Sequence, residues 1–155
     1  SSIMLHDMLR RILRNMDLSE NEIDESIYDA MLLSVDVAHA LHPNKKEKMD
    51  ITNKPVMGKG FCIKQACSQS YATDAQAIAI LCQLCDEKGI PYQRFVNRSD
   101  SRGGSTLGSI AGTLLPVKTV DIGIPILAMH SACELMGVRD MKALSDCVTA
   151  FFGYH

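Results

Sequence analysis

Hydrophobic and polar positions along the chain follow two different periods. Apolar residues spaced three and four apart predict helices over residues 8–16, from Ser19 to about residue 29, and over 72–88, 105–114 and 138–152. Continuous or alternating apolar runs predict strands over residues 30–37, 60–66, 92–97 and 118–124. Because strands and helices alternate, the pattern predicts a three-layer α/β/α sandwich around a mixed, mostly parallel sheet.

Charge and hydropathy narrow the class of protein. The chain has 155 residues, 46% of them hydrophobic and 22% charged, and a net charge of −2. This composition is typical of a soluble globular domain and lacks the basic stripe of a nucleic-acid surface. The one dense basic run, at residues 45–48, is interpreted as a solvated loop. We therefore expect no nucleic-acid partner.

The first residues and the cysteines indicate in which cellular compartment the protein is located. No apolar run reaches the roughly 18 residues needed to span a bilayer, and the first residues lack the order of a signal peptide. The six cysteines lie in apolar, helix-like surroundings, which favours free thiols in a reducing cytoplasm. Cys82 and Cys85 have the spacing of a zinc or redox pair, but no second pair accompanies them and they fall inside a predicted helix. A redox protein using these two residues is the weaker alternative.

Polar side chains stand at the ends of three predicted strands. Asp36 and His39 follow the first apolar run, residues 97–100 follow the third, and His130 follows the fourth. Ligands of open α/β sheets collect at the carboxyl ends of strands. A carboxylate in an apolar setting is costly unless it is paired or bound to a cation, and zinc accepts carboxylate oxygen with imidazole nitrogen. The pattern is compatible with part of a zinc shell formed by Asp36 and His130.

The residues by themselves leave other interpretations open. Asp36 could cap a turn beside exposed histidines, and His130 could be a core histidine with its hydrogen bonds satisfied. No further acidic pair in an apolar frame completes a metal shell, since Glu22 and its acidic neighbours lie on an exposed-looking helix. The loop at residues 97–108 has two glycines before a helix but lacks the lysine of a phosphate-binding loop, so it predicts a tight turn lining a cleft.

Taken together, the motifs resemble a known family. SVDVAHALHPN, NKPVMGKG, a lysine, SYATD, NRSDSRGGSTLG and DIGIPILAMHS occur in this order from about Leu33 to the C-terminus. This succession is similar to the aspartyl aminopeptidase family of dizinc metallopeptidases. Several motifs in register over about a hundred residues are far more specific than any one of them.

The resemblance implies roles for five residues. Asp36 matches a carboxylate that ligates one zinc and contacts substrate, and His130 matches the zinc-ligating imidazole of an Ala-Met-His motif. His39 matches a histidine beside the substrate, Lys64 a basic residue of the pocket for an acidic side chain, and Tyr71 a substrate-contacting tyrosine. The family further implies two zinc ions per active site, a peptide substrate, a cytoplasmic location and homo-oligomers.

The departures from the family are equally specific. The family's first zinc-binding histidine, bridging aspartate and adjacent glutamate pair, one of which is the general base, have no counterpart here. The family's inserted dimerisation domain is also absent. Residues 1–155 are therefore expected to form the C-terminal part of one catalytic domain, with no catalytic base of their own and no activity alone.

The alternative is a non-catalytic module that uses the same half-domain to bind a peptide or a partner. The sequence does not decide the substrate side chain or the metal.

Overall fold

A mixed five-stranded sheet forms the centre of the protein. The computed structural model describes residues 3–101 and 103–153. The strands are β1 (Met31–His39), β2 (Phe61–Gln65), β3 (Tyr92–Val96), β4 (Lys118–Leu127) and β5 (Leu135–Met136). Their order is β1-β4-β2-β3, and β5 pairs with the end of β4. β1 runs parallel to β4 and β2 parallel to β3, whereas β2 and β5 are antiparallel to β4. The predicted mixed sheet is confirmed.

Five helices accompany the sheet within the described residues. They are α1 (Met4–Asn15), α2 (Glu20–Asp29), α3 (Ala75–Lys88), α4 (Leu107–Leu114) and α5 (Val138–Phe152), with a 3-10 turn at Lys46–Lys48. Ser19 and Glu22 form a capping box at the start of α2. Asp74 accepts a hydrogen bond from Ala77 N at the start of α3, and Gly89, at φ 66°, ends that helix in the left-handed conformation that glycine adopts without strain.

The helices cover both faces of the sheet. Val120, Ile122, Ile124 and Ile126 of β4 point to one face, where they pack with buried residues of α3 and α5. On the opposite face, Gly108 of α4 lies against the side chains of Ser34 and Asp121. The predicted three-layer arrangement is thus confirmed. Because side chains alternate along a strand, Asp36 and Ala38 of β1 and Cys62 and Lys64 of β2 also belong to this second face.

Several element boundaries differ from the prediction. α1 begins at Met4 rather than at residue 8, and β1 and β4 extend to His39 and Leu127 instead of ending at residues 37 and 124. β5 was not predicted at all. Its two exposed residues pair with Ile126 and Leu127, and two residues are too few for a recognisable period.

An apolar surface remains uncovered on the N-terminal side. α1 buries none of its residues, and its exposed apolar side chains are Met4, Leu5, Met8 and Ile12. β1 is at the end of the sheet order, and Val35 on this strand is 50% exposed. No helix among the described residues is long and apolar enough to cross a membrane.

Acidification is expected to loosen α1 from α2. Hydrogen bonds from Arg14 and Arg10 lower the pKa of Glu20 from 4.5 to about 2. Because the pKa in the folded chain lies below the ordinary value, these ion pairs stabilise the helix pair above about pH 4.5, and this contribution disappears as the pH falls through about 2. NMR titration of the Glu20 carboxyl resonance, together with α1 amide shifts, would measure the change. Glu20→Gln should abolish this pH-dependent change in the α1 amide shifts. Glu25→Gln is the matched control, and a pH dependence that persists in Glu20→Gln would contradict the assignment.

Candidate metal and peptide site

Five residues singled out from the sequence line one cavity. This inner cavity, of about 210 Å³, is lined by Asp36, His39, Lys64, Tyr71 and His130 together with neighbouring residues of β1, β3 and the loops. It lies on the second face of the sheet, to which Asp36 and Lys64 belong, near the carboxyl ends of β1 and β4, since His39 closes β1 and His130 follows β4. The two candidate zinc ligands therefore face a common space. Whether they bind zinc remains a prediction.

Lys64 is a buried cation in the wall of the inner cavity. Its side chain is only 4% exposed, and its Nζ donates to Val37 O at 3.0 Å and lies 3.3 Å from Asp36 Oδ2. The same ammonium lies 4.5 Å from the centre of the Tyr71 ring, a cation–π contact. The Asp36 side chain is 47% exposed, so one side of this ion pair is open to the cavity. A buried ammonium with an open side is suited to accept a carboxylate from a ligand.

Tyr71 and Phe95 form an aromatic wall of the inner cavity. The Tyr71 hydroxyl accepts a hydrogen bond of 2.9 Å from Asn97 Nδ2, and the Tyr71 and Phe95 ring centres are 6.1 Å apart. The Phe95 ring centre is in turn 6.5 Å from that of His39. Sequence reasoning missed Phe95, because an aromatic residue within an apolar strand predicts only core packing. The only hint was its position two residues before Asn97.

The pKa of His39 is lowered by its surroundings. Partial removal of the ring from water, followed by the positive charges of Lys64 and His130, lowers the pKa of His39. A lowered pKa favours the neutral imidazole, which retains a nitrogen lone pair. This nitrogen can accept a hydrogen bond or bind a cation.

His130 lies in a strained turn after β4. Both Ala128 and His130 have left-handed backbones, with φ of 58° and 67°, which is uncommon for residues other than glycine. The turn is closed by the Ser131 N to Ala128 O hydrogen bond and by donation from the His130 backbone N to the Glu134 carboxylate. Strain of this kind persists where the surroundings hold it, and it directs the His130 side chain to the inner cavity.

Asp121, which sequence reasoning did not select, supports two walls of the inner cavity. It is completely buried, and its Oδ2 accepts hydrogen bonds from Ala72 N at 2.5 Å and Thr106 Oγ1 at 2.6 Å. The first bond holds the segment that contains Tyr71, and the second holds the loop that contains Gly104. A carboxylate in the middle of an apolar strand was the signal that could have identified it. Arg102, in the same loop, lies outside the described residues.

The donor set fits part of a zinc shell. Asp36 offers carboxylate oxygen, and His130 offers imidazole nitrogen, which are ligand types that zinc accepts. Within residues 3–101 and 103–153, however, no group of three or more His, Cys, Asp or Glu side chains is arranged to hold a metal ion. Catalytic zinc normally has three protein ligands. These residues therefore suit zinc as partial ligands and do not complete a site.

The cysteines do not form the alternative redox pair within α3. All six are free, and Cys85 Sγ has the buried Cys147 Sγ of α5 at 3.8 Å, whereas Cys82 lies next to the Arg94 guanidinium. Burial also raises the pKa of the Cys62 thiol to about 12. Cys85 and Cys147 act as small apolar residues between two packed helices.

Comparisons with known proteins agree with the geometry. The family described as aminopeptidase I zinc metalloprotease (M18) matches residues 1–152. This chain belongs to the M18 family. A "Probable M18 family aminopeptidase 2" of Clostridium novyi (strain NT) is 47% identical over 139 residues, which cover 90% of this chain and 32% of that protein. The M18 chain described here thus spans about a third of the length of the curated relatives that it matches.

Solved structures give the same result. A chain in the cryo-EM structure of the Ape4 and Nbr1 complex is similar with a TM-score of 0.92 and 34% identity, over 97% of this chain and 29% of that one. The S. cerevisiae mApe1 dodecamer has a TM-score of 0.66 and 27% identity, over 80% of this chain and 27% of that one. The α/β fold of this M18 chain is therefore that of known aminopeptidases. The alternative of a non-catalytic binding module is not favoured.

Proposed function

We propose that this chain contributes two zinc ligands and much of the substrate pocket to a dizinc aminopeptidase that removes N-terminal residues from peptides. The observation that carries the proposal is the opening of Asp36 and His130 into one inner cavity, next to a buried lysine. When bound, zinc would polarise the scissile carbonyl and lower the pKa of a bound water. Asp36 and His130 would hold the metal, and Tyr71 would orient the substrate.

Lys64 supports a preference for acidic N-terminal residues. Its ammonium is buried and fixed by Val37 O and Tyr71, so it is already desolvated and oriented before a ligand arrives. Asp36, its present ion-pair partner, would have its charge shared with zinc in the loaded enzyme. A substrate carboxylate would then compensate the Lys64 charge, while a neutral side chain would leave it unpaired.

Further polypeptide is needed to complete the site under this proposal. The inner cavity contains no glutamate among its described lining residues, and thus no general base of the kind expected for this chemistry. The exposed apolar face of α1 and the free edge of β1 are surfaces that a larger catalytic domain would cover. The dodecameric mApe1 supports a homo-oligomer for the complete enzyme, and the free thiols support a cytoplasmic location.

Zinc titration of the chain by calorimetry tests the proposal. We expect weak binding, with a dissociation constant above about 1 μM, since two ligands are fewer than the three of a catalytic site. Asp36→Ala and His130→Ala should each abolish this binding, whereas His6→Ala on α1 should leave it unchanged. Aspartyl p-nitroanilide should not be hydrolysed.

Two outcomes would contradict this picture. Zinc binding that survives both substitutions would mean that the metal is held elsewhere on the chain. Sub-micromolar binding accompanied by turnover would mean that the chain is sufficient by itself, and the requirement for further polypeptide would be wrong.

A further inference from the structure

A second, larger cavity adjoins the inner one. This outer cavity, of about 650 Å³, shares His39, Tyr71, Phe95 and Gly104 with the inner cavity. The shared residues form a common wall, so the two spaces are neighbours along the same cleft. An extended peptide advances about 3.3–3.6 Å per residue, and successive residues of one bound peptide can therefore reach both cavities.

The lining of the outer cavity is basic. It contains Lys45, Lys48 and Arg98 beside the imidazoles of His39 and His42, and no aspartate or glutamate belongs to its described lining. Near a cleft, charges of one sign add to a field that attracts the opposite charge. The chain as a whole has a net charge of −2, so this concentration of positive charge is local and does not follow from composition.

The positive charges of the outer cavity are only partly neutralised. Asp100 forms two hydrogen bonds with the Arg98 guanidinium, of 2.6 and 2.7 Å. Lys45 Nζ is 4.0 Å from Glu47, at the limit of an ion pair. Lys48 has no ion pair within the described residues, although its side chain faces this cavity. Lys48 is consequently the cation with the most unshared charge.

The backbone of the turn that contains the lysines is held in place by the surrounding loops. The 3-10 turn at Lys46–Lys48 receives a hydrogen bond from the Arg98 guanidinium to the Glu47 carbonyl, which joins the two sides of the cavity. Asp50 accepts from the backbone N of Thr52 and of Asn53 and thereby fixes the chain after the turn. Met49 packs against the cluster that contains Tyr71 and Phe95. The backbone on this side of the outer cavity is therefore fixed, and the exposed Lys45 and Lys48 side chains extend from it.

We infer that the outer cavity binds a second carboxylate of the peptide whose N-terminal residue occupies the inner cavity. The inference rests on the proposed peptidase function. It extends that function from one acidic residue to peptides with acidic residues in succession. Lys48 and Lys45 supply the attraction, and the shared wall of His39, Tyr71 and Phe95 lies between the two carboxylates.

The test uses the full 155-residue chain without zinc and tri-aspartate as the probe, with tri-asparagine for comparison. Backbone NMR shifts should change at residues 45–48 and 98 with tri-aspartate and not with tri-asparagine. Lys48→Gln should weaken tri-aspartate binding by about five-fold, the effect of one partly exposed charge pair at low salt. Lys46→Gln is the matched control, because Lys46 belongs to the same turn but lines a different cavity, and it should change the affinity by less than about two-fold.

Each other result would overturn the inference. Equal losses in Lys48→Gln and Lys46→Gln would indicate general charge attraction. Shifts confined to the inner cavity would mean that the outer cavity binds no carboxylate. If inorganic phosphate or an RNA oligonucleotide binds the outer cavity more tightly than tri-aspartate, its ligand is not a peptide. The zinc titration is independent: tri-aspartate binding without Asp36-dependent zinc binding would refute the peptidase proposal while leaving an acidic-peptide site.

Discussion

Asp121→Ala is expected to lower the free energy of unfolding by about 3 kcal/mol, because two buried donors lose a charged acceptor. Both hydrogen bonds of the carboxylate end on Oδ2, one from Ala72 N and one from Thr106 Oγ1. Neither donor can turn to water, since Ala72 is 9% and Thr106 5% exposed. Urea unfolding followed by circular dichroism would measure the loss.

The two oxygens of the Asp121 carboxylate have different surroundings, so a comparison of the Ala and Asn substitutions is informative. Its Oδ1 is buried without a hydrogen-bond partner among the described residues. In Asp121→Asn, the amide oxygen can take the position of Oδ2 and accept both bonds, and the NH2 group takes the position of the unpaired atom. We therefore expect Asn to cost less than half as much as Ala, about 1 kcal/mol.

One control variant and one further measurement complete this experiment. Asp146→Ala removes an exposed carboxylate of α5 that pairs with Lys142, and it should change stability by less than about 0.5 kcal/mol. In Asp121→Ala, the loss should also reach the cavity, since the freed segments contain Tyr71 and Gly104. An Ala variant within 1 kcal/mol of the parent chain, or an Asn variant as unstable as Ala, would contradict the proposed role of Oδ2.

Local signals predicted most elements of this fold. Helix α5 has the predicted bounds, because Gly137 precedes and Gly153 follows a regular apolar period. Helix α3 ends before Gly89 as predicted, and it begins at Ala75, after the Asp74 cap, instead of at residue 72. α1 was predicted too short, because its first turn contains His6 and Asp7 among apolar residues and has no side-chain cap. Boundaries set by side-chain chemistry are thus readable, and boundaries without a cap are not.

The candidate site likewise has one part that the sequence could predict and one part that it could not. Asp36 and His130 could be selected because each is a charged or titratable group in an apolar frame, whereas Lys64 was selected only from the resemblance to the family. The outer cavity could not, because it depends on a contact between Arg98 and the Glu47 carbonyl, which are 51 positions apart. Residues 45–48 were interpreted as a solvated loop, and Lys45 and Lys48 are indeed exposed, yet both line a cavity. An exposed side chain can also line a cleft, and the sequence pattern does not distinguish a lysine that lines a cleft from one that does not.

Gly123→Ala is expected to disturb both the sheet and the inner cavity. Gly123 lies at the centre of β4, paired with Asp36 on β1 and with Cys62 on β2. A methyl group at this position would come within 2.7 Å of the Val37 carbonyl carbon and 2.9 Å of the Asp36 carbonyl oxygen. These are backbone atoms, which cannot turn away as a flexible side chain would. β1 has to move, and the free energy of unfolding should fall by about 2 kcal/mol.

The displacement should have a specific consequence for Asp36. Its carboxylate and the Val37 carbonyl both contact Lys64 Nζ, so a shift of β1 separates the buried ammonium from its partners. Zinc binding that depends on Asp36 should consequently be lost in Gly123→Ala even at temperatures where the variant is fully folded. Gly112→Ala is the matched control. Its methyl group would meet only Thr119 Oγ1 at 3.7 Å, and alanine inside α4 should raise stability by up to about 1 kcal/mol. If Gly123→Ala keeps both its stability and its zinc affinity, β1 has room to adapt, and the close approach of the two strands does not set the position of Asp36.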